Sequence, residues 1–432
     1  MLILPNVTLM KVLLQQVVIN DPRSAFHGST KDILIADGKL LRIDDAIEMA
    51  DVRTINVEGA VVSPGWVDPF SHFNDPGTEH KETLESGAAA AAAGGFTTVF
   101  VIPNTKPAID TKSTVEYIAA KSTHLPVSIL PIGAVTRNTE GKELAEMYDM
   151  RASGAIAFSD GIRPVQSAGL LVKALQYVKA FDGVIIQVPD DTSLAPHGLI
   201  HEGIISTRLG LPGKPMMAEE LVVARDIKLA RYADSHIHFT GISSPKSIEY
   251  VRRAKEGGLK VSCSVTPYHL FFCDEDLLNY DTNLKVNPPL RSRNDMLALR
   301  EAVLNGWVDC IATHHQPHDY DAKVLEFEYA KFGMIGLESA FSAVHSVLPD
   351  LSSEQLAYLF SINARRIFGI ADAIIEEGSA AEITIYNPDE SIKFDKAMIQ
   401  SKCHNSPFIG QELRGKIIGV VSGIKTSFTH SR

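Results

Sequence analysis

Apolar residues are distributed differently at the ends of the chain and in its middle. Residues 1 to about 63 carry short strand-like runs: Val17-Val18-Ile19, Ile33-Leu34-Ile35-Ala36, Leu41-Arg42-Ile43 and Thr54-Ile55-Asn56-Val57, separated by turn material such as Asp37-Gly38. The tail from about Ile375 repeats the style in Ala381 to Tyr386 and Ile417 to Gly423, with Asn387-Pro388-Asp389 reading as a turn. The two strand-rich ends predict one composite, sandwich-like β domain built from residues 1–63 and 371–432.

Residues 64–370 read differently. Strand candidates Thr97 to Ile102, Val127 to Leu130, Ala155 to Phe158, Val184 to Gln187, Ile237 to Thr240, Leu259 to Val265 and Val308 to Thr313 alternate with helical stretches. That alternation predicts a parallel α/β unit with its site at the C-terminal ends of the strands, although periodicity alone does not separate a closed barrel from an open sheet. The run Ala88 to Ala93 ends in Gly94-Gly95, the pattern of a tightly packed helix end. No internal repeat stands out.

Composition narrows the function classes. The 432 residues, 45% hydrophobic and 22% charged, can bury a large core, as one big barrel or two or three smaller units. A net charge of -11 without a long basic run argues against nucleic acid or an anionic membrane surface, leaving small molecules or other proteins as expected partners. Four cysteines (Cys263, Cys273, Cys310, Cys403) without CxxC spacing predict reduced, buried thiols and a cytoplasmic protein. Lys11 interrupts the apolar N-terminus, which lacks a secretion-signal pattern, and no stretch reaches the length of a membrane-spanning helix.

The segment from Pro64 to Gly77, PGWVDPFSHFNDPG, resembles the dihydroorotase signature of the amidohydrolase superfamily, P-G-[FL]-[IV]-D-x-H-x-H-x-R-[ED]-P-G. His80-Lys81-Glu82-Thr83, Gly94-Gly95-Phe96-Thr97-Thr98, Pro103-Asn104-Thr105-Lys106-Pro107, Lys285 to Arg291 (KVNPPLR) and Gly336-Leu337-Glu338 are similar to further motifs of that family. The resemblance runs from about residue 17 to the end and implies a TIM-type (β/α)8 barrel of the metal-dependent hydrolase kind, with a small β domain from both termini. Zinc is the family's cofactor. What survives is rich in glycine and proline, which set turns and close packing rather than chemistry.

The metal positions depart from the pattern strand by strand. Phe70 stands where the first histidine of the HxH pair belongs, while His72 remains. Ala157 to Gly161 is similar to F-[ST]-D-D-G with one aspartate missing, which leaves open whether Asp160 is a surviving ligand. Gln187 takes the position of the fifth-strand histidine, Gly241 that of the second histidine in H-[IV]-x-H-[ILV]-S, and His314 that of the aspartate that is both ligand and general acid/base. Phenylalanine and glycine offer no side-chain donor, and a glutamine amide is a poor zinc ligand. On this reading no metal or other cofactor is expected.

The resemblance implies a metal-bridged hydroxide attacking the ring amide of dihydroorotate. Zinc lowers the pKa of bound water from near 15.7 to about 7, so its loss makes hydroxide scarcer by roughly nine powers of ten at neutral pH. General-base help from His314 would return only about two to four of these. Asn104, Asn287 and His318 stand where the family holds substrate, but the arginine expected on its carboxylate is Asn74.

Other residues invite plainer readings. His72, His314, His315 and His318 could gather as an unfamiliar metal cluster, but hydrogen-bonded remnants are the plainer expectation. His236 and His238 alternate on a strand as a ligand pair would, yet a family histidine accounts for His238. Asp190-Asp191 reads as a solvated turn rather than an acid/base pair, and Lys106 as a surface lysine rather than an anion anchor. Two functions stay open. One is a non-catalytic dihydroorotase homologue acting as structural or regulatory partner, for example of aspartate transcarbamoylase or through self-association. The other is an active dihydroorotase or cyclic amidohydrolase with a rebuilt site that accepts a small cyclic amide. The missing ligands favour the first.

Overall fold

In the computed structural model, which describes residues 11–429, eight parallel strands follow one another around a barrel. They are Trp66–Ser71, Phe96–Val101, Ser128–Gly133, Ala157–Phe158, Val184–Gln187, His236–Phe239, Val261–Val265 and Cys310–Ile311. Each pairs in parallel with the next. A bridge between Ser71 and His315, with the His72 amide donating to the His315 carbonyl at 2.8 Å, joins the last strand to the first. Asp68 reinforces the closure: its carboxylate accepts from the Thr313 amide (2.7 Å), the Thr313 hydroxyl (2.8 Å) and Ser71. The closed barrel is thus the outcome that periodicity left open.

Helices cover the outside between strands, and their ends follow local chemistry. Leu84–Ala93 begins where the Thr83 hydroxyl accepts from the Ser86 amide while Ser86 reaches back to the Thr83 amide. It stops at Gly94, where an added Cβ would lie 2.2 Å from the Leu337 carbonyl oxygen, so the alanine run ends in a backbone-to-backbone contact only glycine allows.

Strands from both ends share a second sheet. Its order is Lys425–Phe428, Glu412–Ser422, Glu382–Lys393, Val61–Pro64, Val12–Ile19, Thr30–Ala36 and Lys39–Asp44, with Arg53–Asn56 also pairing to Val12–Ile19. The antiparallel pairing of Val61–Pro64 with Glu382–Lys393 joins the N-terminal part to the C-terminal part. Asn387-Pro388-Asp389 does not turn the chain as its composition suggests. It forms an irregularity within the Glu382–Lys393 strand, where Asn387 Oδ1 accepts from the Asp389 amide at 2.9 Å. The apolar residues before Lys11 lie outside the described residues. Among the described residues, no helix is long and apolar enough to cross a membrane.

Trp66 links the two layers. Fully buried, it packs on Phe360, Phe341 and Tyr386 with ring centroids 4.8, 5.1 and 5.3 Å away. Its indole N–H donates to Ser63 Oγ at 3.2 Å. Trp66→Ala is therefore expected to lower stability by about 3–5 kcal/mol, read from urea unfolding, and a loss below about 1 kcal/mol would contradict this packing role.

Candidate functional site

The C-terminal ends of the strands surround a small cavity of about 130 Å3, whose lining includes Phe70, His72, Tyr268, Asn287, His314 and Gln316. Phe70 and His314, from the first and last strand ends, lie ring against ring, with centroids 4.4 Å apart and planes tilted by 32°. Against His314 lies Gly241, at φ +70°, where an added Cβ would meet His314 Cε1 at 2.6 Å. His314 itself has φ +47°, a region that costs a non-glycine residue strain. The imidazole therefore fits because position 241 has no side chain, and the two substitutions depend on each other.

The remaining ligand-like groups make protein contacts, and of their buried nitrogens only His72 Nδ1 has no partner among the described residues. Asp160 accepts from the Thr136 amide at 2.8 Å and from the Thr136 hydroxyl, and burial pushes its carboxyl up to about 6. Gln187 is fully buried; its Oε1 accepts from the Val165 amide (3.3 Å) while Nε2 donates to the Val165 carbonyl (3.2 Å) and to Asp226 (3.3 Å). His72 Nε2 lies 3.0 Å from the Asn104 carbonyl, so it carries the proton and donates. Burial holds that imidazole down at about 4.

The substrate-type positions separate. Asn287 lines the cavity and donates to Asp190 at 3.3 Å while accepting from Lys214 at 2.8 Å. Asn104 braces the fourth strand end instead, donating to the Asp160 carbonyl and accepting from the Ile162 amide, both at 3.0 Å. Asn74 Oδ1 accepts from Thr78 at 3.2 Å, and its Nδ2 is buried without a partner among the described residues. His318 donates from Nε2 to the Phe332 carbonyl at 2.7 Å and lines a separate cleft beside Lys323 and Cys403. One expectation is corrected: Asp190 is not a solvated turn residue, because it is buried against Lys214 in an ion pair of 2.6 Å. Asp191 caps its own loop through Ser193, and Lys106 is exposed.

A hydrogen-bonded chain runs through the barrel, and one direction of donation along it satisfies its members. The Ser264 hydroxyl donates to Thr240 Oγ1 at 2.9 Å, and the Thr240 hydroxyl, with no other acceptor among the described residues, donates onward to His314 Nε2 at 2.8 Å. His314 then carries its proton on Nδ1. Upstream, Ser264 accepts from His238 Nε2 (3.1 Å), Ser262 donates to His238 Nδ1 (2.9 Å), and His236 Nε2 donates to Ser262 (3.2 Å). The acceptor roles of His238 Nδ1 and His314 Nε2 need neutral imidazoles, and burial supplies that condition by holding His314 down at about 3 and His238 well below the usual range. His315 is separate: its Nδ1 accepts from the Gly336 amide at 3.2 Å, leaving Nε2 to face Glu82 at 3.3 Å. Thr240, Ser262 and Ser264 were not singled out from sequence; their alternation with His238 on neighbouring strands was the available signal.

Comparison with known proteins fits this barrel. Residues 59–247 match the dihydro-orotase-like family. The dihydroorotase of Pelotomaculum thermopropionicum is 42% identical over 94% of this chain and 96% of its own. That of Syntrophus aciditrophicus is 40% identical over 95% and 97%. The chain belongs to the dihydroorotase family. Its fold is also that of the L-hydantoinase (dihydropyrimidinase) from Arthrobacter aurescens, with a TM-score of 0.83 at 22% identity and 97% of each chain covered.

The residues present do not fit the family's zinc pair. Phe70 and Gly241 supply no donor atom, Gln187 and Asp160 are bonded elsewhere, and the His72 and His314 Nε2 atoms already have partners. Among the described residues no group of three His, Cys, Asp or Glu side chains converges to hold a metal ion.

Two predictions follow from this packing and protonation. Gly241→Ala is expected to destabilise the protein by at least about 1 kcal/mol, through backbone strain and the clash with His314. His314→Ala in the same chain should relieve the clash, giving non-additive unfolding energies in a double-mutant cycle; strict additivity would refute the coupling.

The second concerns pH. An unfolded imidazole takes up its proton near pH 6.5. Folded His72 and His201 resist until about 4, and His269, His314 and His318 until about 3, all because of burial. Their depressed values contribute stability that is present above about pH 6.5 and lost as pH falls toward 4. Asp68, Asp160 and Asp226, raised by burial to about 6, act in the opposite direction but are fewer. The urea midpoint should therefore be lower at pH 5 than at pH 7.5, and an unchanged or higher midpoint at pH 5 would contradict the assignment.

Proposed function

We propose that this chain is a dihydroorotase homologue of pyrimidine biosynthesis that does not turn over dihydroorotate and serves as a structural or regulatory partner. Aspartate transcarbamoylase is the protein partner this reading favours, with self-association as part of the same assembly and the cytoplasm as its place. The observation that carries the reading is the Phe70–His314 ring pair beside Gly241, which fills three ligand positions with groups that pack on one another. His314 is also a poor substitute base: its conjugate acid is held near 3, so it accepts a proton weakly at neutral pH. On this reading the barrel and composite sheet are kept while the hydrolytic centre is replaced by packing.

The test is an assay with dihydroorotate and carbamoyl aspartate in the presence of added zinc. The wild-type chain is expected to give no turnover above the uncatalysed rate. Phe70→His alone should not restore any, because Gln187, Gly241 and His314 leave too few ligands for a catalytic site that needs about three. The chain should co-elute with aspartate transcarbamoylase of the same organism on size-exclusion chromatography. Turnover that is lost on chelation and recovered with zinc would refute the proposal.

A further inference from the structure

The small cavity under the barrel mouth lies beside a second chamber of about 510 Å3, and Ile162 and Asn287 line both. The inner chamber, at about 130 Å3, is close to the engineered apolar cavity of about 150 Å3 that holds one benzene ring, so it suits a single six-membered ring. Its walls include Phe70, Tyr268, His314 and Phe332, which offer flat faces for stacking. Two polar groups there have bonding capacity left. His314 carries its proton on Nδ1, because Nε2 receives the Thr240 hydroxyl. The Gln316 side-chain amide makes no hydrogen bond among the described residues and can both donate and accept. A ring that presents a carbonyl beside an N–H matches that pair.

The outer chamber adds what a bare ring would not use. Among its lining residues Glu140 is matched by Lys142 at 3.0 Å, and Asp190 by Lys214 at 2.6 Å. Arg163 is the remaining charge on that wall: its amide donates to the Asp160 carbonyl at 3.2 Å, but its guanidinium makes no hydrogen bond or ion pair among the described residues. Asp160, the carboxylate that feels its field, is bonded to Thr136 instead. An exposed, unmatched guanidinium in a concave site suits a phosphate, which it can grip with two N–H groups. The chamber's size calls for a linker of several atoms between ring and anion.

We propose that the barrel mouth binds a pyrimidine nucleoside monophosphate, with the base in the inner chamber, the pentose in the outer one and the phosphate on Arg163. This rests on the reading of the site as non-catalytic: the ligand is held, not hydrolysed, and its binding would report nucleotide supply to a partner enzyme.

Isothermal titration of the full-length chain with uridine monophosphate, uridine, adenosine monophosphate and inorganic phosphate tests it. Uridine monophosphate is expected to bind at least about tenfold more tightly than uridine, as for one charge-assisted contact of about 1.4 kcal/mol. Phosphate alone should bind weakly, and the purine nucleotide should not saturate the site. Arg163→Ala, a surface change, should remove the advantage of the nucleotide over the nucleoside while leaving uridine binding in place. No saturable binding of uridine monophosphate, equal affinity for uridine, or an unchanged affinity in Arg163→Ala would overturn the proposal. Metal-dependent turnover of dihydroorotate would instead overturn the non-catalytic reading, so the two failures are distinguishable.

Discussion

The mouth of this barrel depends on one packing constraint: an imidazole at position 314 lies flat against Phe70 only because position 241 has no side chain. The ring centroids are 4.4 Å apart, and a Cβ on Gly241 would come within 2.6 Å of His314. In a close-packed interior such contacts leave little slack, so His314 is constrained by both Phe70 and Gly241. On the proposed reading, three strand ends that would each contribute a metal ligand in the family instead contribute two rings and a gap beside His314. Restoring one ligand chemistry without the others would place a polar or bulkier group against an unchanged neighbour.

The same logic extends to the polar groups around the stack. Buried polar atoms are costly without partners, and the ligand-like side chains have acquired them within the protein: Asp160 with Thr136, Gln187 with Val165 and Asp226, His72 with the Asn104 carbonyl. The chain from His236 through Ser262, His238, Ser264 and Thr240 to His314 has one consistent direction of donation. A doubly protonated imidazole at His238 or His314 would break an acceptor role. The stability of the site at neutral pH and its expected loss in acid therefore share one cause, the burial of uncharged rings.

Much of this was legible in the sequence, for reasons that differ from residue to residue. The strand Val184–Gln187 falls where its apolar run places it, and Phe96–Val101 is displaced by one residue from its expected position, because buried parallel strands read as continuous apolar runs. The Val61–Pro64 strand was not legible, since its partner Glu382–Lys393 is some three hundred residues away. The missing donors at Phe70 and Gly241 follow from residue chemistry alone. The direction taken by Asp160 does not, because Thr136 is 24 residues distant, and Asp190 looked like a turn residue until Lys214 was brought against it by the fold. The resemblance supplied the barrel's closure, which local pattern could not.

The central claim is that ring packing occupies the place of a metal pair. The most direct measurement is the zinc content of the purified full-length chain after equilibration with zinc and removal of free ion, read by inductively coupled plasma mass spectrometry. The account predicts well under one tightly held zinc per chain, with no change in thermal unfolding on adding chelator. Two zinc ions per chain that survive dialysis and whose removal lowers the unfolding temperature would contradict it.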